Sequence, residues 1–166
     1  MDEKTHGTLD EVERLQYHPQ DLTDCDMKKP LPVRNARSFH LKLKLDLIKS
    51  RKIGVSVLND AESDEETRIY VDLDTQKLVV NTEKSGTEGS KIKEEAPFAL
   101  KDGETLDLDI FVDCSIVEVY ANERQAVCRK ALPTNPEVAI AVSPIGLDGA
   151  KVISATAFEI APTNLY

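Results

Sequence analysis

Tryptophan is absent from this 166-residue chain, and aromatic residues make up only 5% of it. A core must therefore be assembled from Val, Leu, Ile and Ala, and a sugar cleft lined by aromatic rings is hard to build. Cysteine is scarce too: Cys25, Cys114 and Cys128 are an odd set in a domain of ordinary size, which implies free, mostly buried thiols and no disulfide framework. For a chain reversal centred on Asn122-Glu123, the residue facing Cys128 is Val117, so a bridge to Cys114 would need a shifted register. No segment approaches the ~20 apolar residues needed to span a bilayer. The opening MDEKTHGTLDEVERL has no apolar stretch of the secretory kind, and no Asn-x-Ser/Thr acceptor occurs. The expectation is a chain that stays in the cytoplasm or one cut from a longer secreted precursor.

Positive charge is in deficit, with 21 Lys and Arg against 30 Asp and Glu, a formal net charge of −9. This argues against nucleic acid and against an anionic membrane surface, both of which select a basic footprint. Motifs for chemistry are missing as well. There is no Gly-x-Ser-x-Gly elbow, phosphate loop or His-Glu-x-x-His pattern. His6, His18 and His40 are scattered, and His40, on the polar face of a strand, is expected to be solvated. Asp60, Glu62, Asp64, Glu65 and Glu66 lie in a loop, Asn59–Glu66, that lacks the glycine and ligand order of a calcium loop, so it reads as a solvated turn. No catalytic residue, metal or cofactor is assigned.

What the chain does contain is strands. Leu106, Leu108, Ile110 and Val112 alternate with Asp107, Asp109, Phe111 and Asp113, the period of two of a half-buried strand. Ser115–Tyr120 follows with Val117 and Val119 on one face and Glu118 and Tyr120 on the other. Ala121–Arg124 reverses the chain, and Ala126–Lys130 returns, stopping before Pro133. Upstream, Phe39, Leu41, Leu43, Leu45 and Leu47 alternate with His40, Lys42, Lys44 and Asp46. Slipping that register by one residue would place five large apolar side chains in water.

Further strands are expected at Ile53–Leu58, Arg68–Asp72, Lys77–Asn81, Val138–Val142 and Lys151–Ile160, with a short edge strand at Pro97–Leu100. Thr82–Glu95, rich in Gly, Ser, Glu and Lys, reads as a loop that crosses between sheets. Residues 1–32, in which Leu9, Val12 and Leu15 fit a short helical turn, read as an arm or connector. Residues 33–166 read as one all-β domain, a two-sheet antiparallel β-sandwich of about ten strands.

Asp113, Ser115, Val117, Glu118, Val119, Tyr120 and Asn122, followed by a returning strand and Pro133, resemble the signature segment of the C-terminal β-sandwich of glycoside hydrolase family 32, the invertase, inulinase and levanase family. The pattern departs at Cys114, where a basic or small residue is expected, and at Glu123-Arg124, where an Asp-Gly turn is usual. The resemblance implies a jelly-roll or lectin-like sandwich. It also implies that the family's catalytic carboxylates lie on a separate propeller, in segments resembling Trp-Met-Asn-Asp-Pro-Asn, Arg-Asp-Pro and Glu-Cys. Here Asn59-Asp60 is followed by Ala61, and no Arg-Asp or Glu-Cys pair exists. Asp113, Ser115, Val117, Glu118, Val119 and Pro133 are read as structural.

Two functions are expected on this basis. One is a non-catalytic accessory module for a propeller carried in cis or in trans, with self-association as a further role. The other is a fructan- or sucrose-binding, lectin-like module using Glu118, Tyr120 and Asn122. An exposed apolar strip on one sheet would favour the first.

Overall fold

The computed structural model describes residues 19–138 and 140–160. The helical turn expected at Leu9, Val12 and Leu15, together with His6, Tyr17, His18 and Tyr166, lies outside the described residues. Eleven strands are present among those described: β1 Gln20–Asp21, β2 Ser38–Leu47, β3 Lys52–Asp60, β4 Glu65–Asp72, β5 Lys77–Lys84, β6 Lys93–Pro97, β7 Leu106–Asp113, β8 Ile116–Ala121, β9 Gln125–Lys130, β10 Ala141–Ile145 and β11 Ala150–Glu159. They form a six-stranded sheet ordered β1-β11-β2-β7-β8-β9 and a five-stranded sheet ordered β10-β3-β4-β5-β6. Every pairing is antiparallel. The fold is the all-β sandwich that the alternation implies.

Each sheet hides one face against the other. Phe39, Leu41, Leu43 and Leu45 of β2, Leu106, Leu108, Ile110 and Val112 of β7, and Val117 and Val119 of β8 are buried from the six-stranded side. Ile53, Val55 and Val57 of β3, Ile69 and Val71 of β4, and Leu78 and Val80 of β5 meet them from the five-stranded side. Burial of each such side chain stabilises by about 1.5–3 kcal/mol gross, against about 1–2 kcal/mol of backbone entropy per ordered residue.

Several expectations need correction. Thr82–Glu95 does not change sheets. β5 continues to Lys84, turns through Gly86 and Gly89, both at positive φ, and returns as β6 on the same sheet. Thr82 closes this hairpin, its hydroxyl meeting the carbonyls of Ser90 and Ile92 at 2.8 and 3.0 Å. The edge strand is therefore 93–97, and the crossing is made by 98–105, where Phe98 is buried in the core. The final hairpin also starts later than expected, since Val138 is exposed in a turn and β10 begins at Ala141. Within the segment expected to be an arm, β1 pairs with β11, and Leu22 and Leu31 enter the core.

The acidic loop shrinks to residues 61–64 because β3 and β4 extend into it. Asp60 is buried and closes the turn, with Oδ1 accepting from Glu62 N–H at 2.9 Å and Oδ2 from Ser63 Oγ at 2.9 Å. Asp72 does the same for the β4–β5 turn, where its Oδ1 accepts from the N–H groups of Asp74 and Thr75. These donors hold the Asp60 carboxyl below the ordinary range. At Asp72, burial pushes the carboxyl up but is outweighed by the Thr75 N–H, Lys52 and the Asp74 N–H. A carboxyl whose pKa is depressed on folding stabilises fully above its unfolded value, near 3.9, and loses that contribution as pH falls through the folded value. Melting temperature is therefore expected to hold steady from pH 7 to about 5 and to fall below about 4. Asp72→Asn, which keeps Oδ1 as an acceptor, should weaken that acid-side fall. Thermal melts of both proteins from pH 7 to pH 3 check this, and equal slopes would remove Asp72 from the account.

Candidate functional site on the outer face of the six-stranded sheet

The polar parity of β2 and β7 faces away from the core, and registration across strands turns it into rows. One row runs Phe158 (β11), His40 (β2), Phe111 (β7), Glu118 (β8) and Cys128 (β9). The next runs Thr156, Lys42, Asp109, Tyr120 and Ala126. Phe111 and Phe158, although among the few aromatic residues, are thus on the outside. The His40 ring stacks on Phe111 with centroids 3.9 Å apart and planes 11° apart, and on Phe158 at 5.5 Å and 25°. Tyr120 meets Phe111 edge-on at 6.0 Å and 87°. His40 is accordingly not a solvated histidine: it is largely covered between two phenyl rings, with Nε2 2.8 Å from Asp109 Oδ1. Lys42 Nζ reaches the same oxygen at 3.5 Å.

Glu118 and Tyr120 come together as neighbours on this face, with Tyr120 Oη donating to Glu118 Oε2 over 3.4 Å. The charge of Glu118, then burial, pushes the Tyr120 phenol up, so it remains a hydroxyl. Asn122 sits at the adjoining turn and is engaged by the fold: its Oδ1 accepts from Asp107 N–H at 2.9 Å and its Nδ2 donates to Thr105 O at 2.8 Å. Asn122 and Glu123 both adopt positive φ. The β8–β9 loop contains three residues, 122–124, so Cys128 faces Glu118 and not Val117. Cys114, itself at positive φ, and Cys128 are exposed and free, which corrects the expectation of mostly buried thiols.

Two shallow depressions meet on this face. One, of about 420 Å³, is lined by Asp109, Phe111, Glu118, Tyr120 and Glu123. The other, of about 500 Å³, includes Lys42, Lys44, Asp109, Asn122, Glu123 and Thr156. Asp109 and Glu123 border both. Asp107, which also lines the second, carries an enclosed Oδ1 without a hydrogen-bond partner.

The signature's Asp113 and Ser115 lie at the other end of β7. Asp113 Oδ1 accepts from Ser38 Oγ at 3.1 Å, and the carbonyl of Ser115 accepts from Ala131 N–H, tying the β7–β8 corner to β2 and to the end of β9. Pro133 is half-buried in the segment that leaves β9. Among the described residues, no group of three or more His, Cys, Asp or Glu side chains is arranged to hold a metal ion.

The opposite outer face, on the five-stranded sheet, is closed. Tyr70 is buried there beneath Lys52 and Arg68, whose cationic groups lie 5.7 and 5.6 Å from its ring centroid. Lys77 and Lys93 both pair with Glu95 beside it. Of the remaining exposed apolar side chains, Ile48, Ile92, Ile116 and Ile153 sit on separate segments, while Val138 and Ile140 share the turn before β10. Sequence reasoning missed His40, Asp109, Phe111 and Phe158 as a group, although the outward parity of Phe111 was readable in β7.

No curated protein matches this sequence. Among solved structures, a fructosyltransferase from A. japonicus is 20% identical with a TM-score of 0.64, over 91% of this chain and 26% of that one. Fructan 1-exohydrolase IIa from Cichorium intybus is 12% identical with a TM-score of 0.70, over 92% and 37%. A human galectin-16 variant is 19% identical with a TM-score of 0.57, over 81% and 96%. These likenesses establish the shared sandwich, and the chain spans 26% and 37% of the two enzymes. A family model described as glycosyl hydrolases family 32 C terminal matches residues 9–159, and the chain therefore belongs to that family.

Proposed function

We propose that this chain is the non-catalytic accessory β-sandwich of a β-fructofuranosidase-type glycoside hydrolase, supporting the stability, domain packing or assembly of a catalytic propeller. The observation that carries this reading is the family match over 9–159, joined to structural likeness with enzymes in which the matched part is 26% and 37% of the chain. The carboxylates support it. Retaining hydrolysis needs a nucleophile and a general acid about 5–5.5 Å apart, the acid with a raised pKa. Among the described residues, every carboxyl displaced from its ordinary range, namely Asp21, Asp26, Asp60, Asp72, Glu95 and Glu104, is displaced downward. Those groups are anions held by hydrogen bonds, unsuited to donating a proton near neutrality.

Purified chain incubated with sucrose, inulin and levan is expected to liberate no fructose above the blank. Fructose release that tracks the protein through size exclusion would overturn the reading. A second reading, a carbohydrate-binding sandwich acting in its own right, is favoured by one observation: Tyr120 and Phe111 stand beside Glu118 and Asp109 in a surface depression.

A further inference from the structure

We infer that the outer face of the six-stranded sheet binds a neutral oligosaccharide of two or more sugar units, with Tyr120 as its stacking platform, Asp109 and Glu118 accepting sugar hydroxyls, and Lys42 and Thr156 donating to them. The inference rests on the second reading above and gives it a place, a ligand class and a length.

Ring chemistry comes first. A sugar unit presents a face of C–H groups and a rim of hydroxyls, so it needs an apolar plate beside acceptors and donors. Tyr120 is 41% exposed and is the aromatic residue most open to solvent among those described. Its orientation is set by the edge contact with Phe111, which is itself held in the stack of Phe158, His40 and Phe111. A plate fixed in advance loses little freedom when a ligand settles on it.

The acceptors are similarly prepared. Asp109 Oδ1 takes both His40 and Lys42, which fixes the carboxylate and leaves Oδ2 to accept. Glu118 takes the long contact from Tyr120 and meets the Cys128 thiol across the β8–β9 ladder, and the remaining lone pairs of its two oxygens can accept from a sugar. Lys42, 55% exposed at its side chain, and Thr156 supply donors from the adjoining strands.

Length follows from the meeting of the two depressions at Asp109 and Glu123. Their volumes, about 420 and 500 Å³, each fall within the range of small-molecule clefts, about 300–1,000 Å³. A single sugar leaves either of them partly empty, and a longer ligand can lie across both.

Charge narrows the class. Asp107, Asp109, Glu118, Glu123 and Glu104 outnumber Lys42 and Lys44, so phosphorylated sugars and other anions are repelled. A metal cation would answer the carboxylates but leave the tyrosine plate unused. The five-stranded sheet offers no equivalent, because Tyr70 is roofed by Lys52 and Arg68. Open geometry with one exposed plate predicts weak binding, on the order of 1 mM.

The test is an NMR titration of the whole isotopically labelled chain with 1-kestose and nystose, with maltotriose and galactobiose as other neutral sugars and fructose as the single unit. Saturable shifts are expected at the amides of Lys42, Asp109, Phe111, Glu118 and Tyr120, with fructose binding several-fold more weakly than nystose. Tyr120→Ala should weaken binding at least tenfold, while Tyr120→Phe, which keeps the plate and secures the comparison if the alanine variant unfolds, should weaken it no more than threefold. Saturation by kestose and nystose alone identifies a fructan site, and saturation by all the oligosaccharides identifies a general glycan site. Absence of saturable shifts with every sugar overturns the inference, as do shifts that map elsewhere or survive Tyr120→Ala unchanged. Any of those results leaves the fructose-release assay, and the accessory reading it tests, standing.

Discussion

Replacing Gly54 with alanine is expected to lower the melting temperature by roughly 6–12 °C, from a loss of about 3 kcal/mol at 2–4 °C per kcal/mol for a domain of this size. Gly54 is the third residue of β3, paired with Tyr70 on one side and Ile145 on the other. A Cβ there would be driven into the carbonyl oxygen of Ile69 and would stand 2.8 Å from Tyr70 Cα. Both obstacles are backbone, so no side chain can turn aside. Carbon atoms in favourable contact sit about 3.5–4.0 Å apart, and restoring that spacing means pushing β4 away from β3. The ladder from Lys52–Asp72 to Val57–Thr67 would have to give along its length. Urea unfolding of both proteins gives the free-energy difference directly. A change in melting temperature under 2 °C would show that the two strands separate cheaply, and the packing described for this sheet would be wrong.

Phe39→Ala is expected to cost about 3–5 kcal/mol, the usual range for emptying a buried phenylalanine site. Phe39 is 0% exposed, registered between Val112 of β7 and Glu159 of β11, and is among the largest fully enclosed side chains. Phe111→Ala makes the contrasting measurement. Phe111 stands on the opposite face of the same sheet, and its removal forfeits aromatic pairing of about 0.5–1.5 kcal/mol with His40 and Tyr120 together with a partly exposed area. The two melts should differ by at least 5 °C, Phe39→Ala being the lower. Similar losses would mean that the inner and outer parities of β2 and β7 have been confused.

Those parities were legible because each strand has one dry and one wet face. In β2 and β7 the contrast between Leu or Ile and Lys or Asp leaves a single tolerable register. Turns were less readable. Residue identities at Ala121–Arg124 announce a reversal, but whether two or three residues make it depends on backbone angles. Left-handed conformations at Asn122 and Glu123, neither a glycine, moved Cys128 from Val117 to Glu118. The β5–β6 hairpin was missed for a related reason, since a run of polar residues carries no alternation from which to see that Lys93–Pro97 returns to its own sheet.

The candidate site was hidden for a topological reason. β2 lies between β11 and β7, so its neighbours come from distant parts of the chain. His40 could be assigned to the polar side of its strand, yet nothing local to it tells that Phe158 and Phe111 arrive on either side. Glu118 and Tyr120, by contrast, belong to one strand, and its parity alone places them on one face. Asn122 was read at the turn, and there its amide is taken up by the backbone of Asp107 and Thr105.

The chain entering the sandwich touches both layers on one flank: Leu22 N–H donates to Ala155 O of the six-stranded sheet, and Leu31 N–H donates to Val142 O of the five-stranded one. That flank is already stitched, and β1, two residues long, is a poor template for any further strand. Among the described residues, bare edges remain at β9 and β6, which lie together on the far flank, and along β10 beyond its one bridge to Leu31. Association of two copies through their β9 and β6 edges would be isologous and would end in a closed pair.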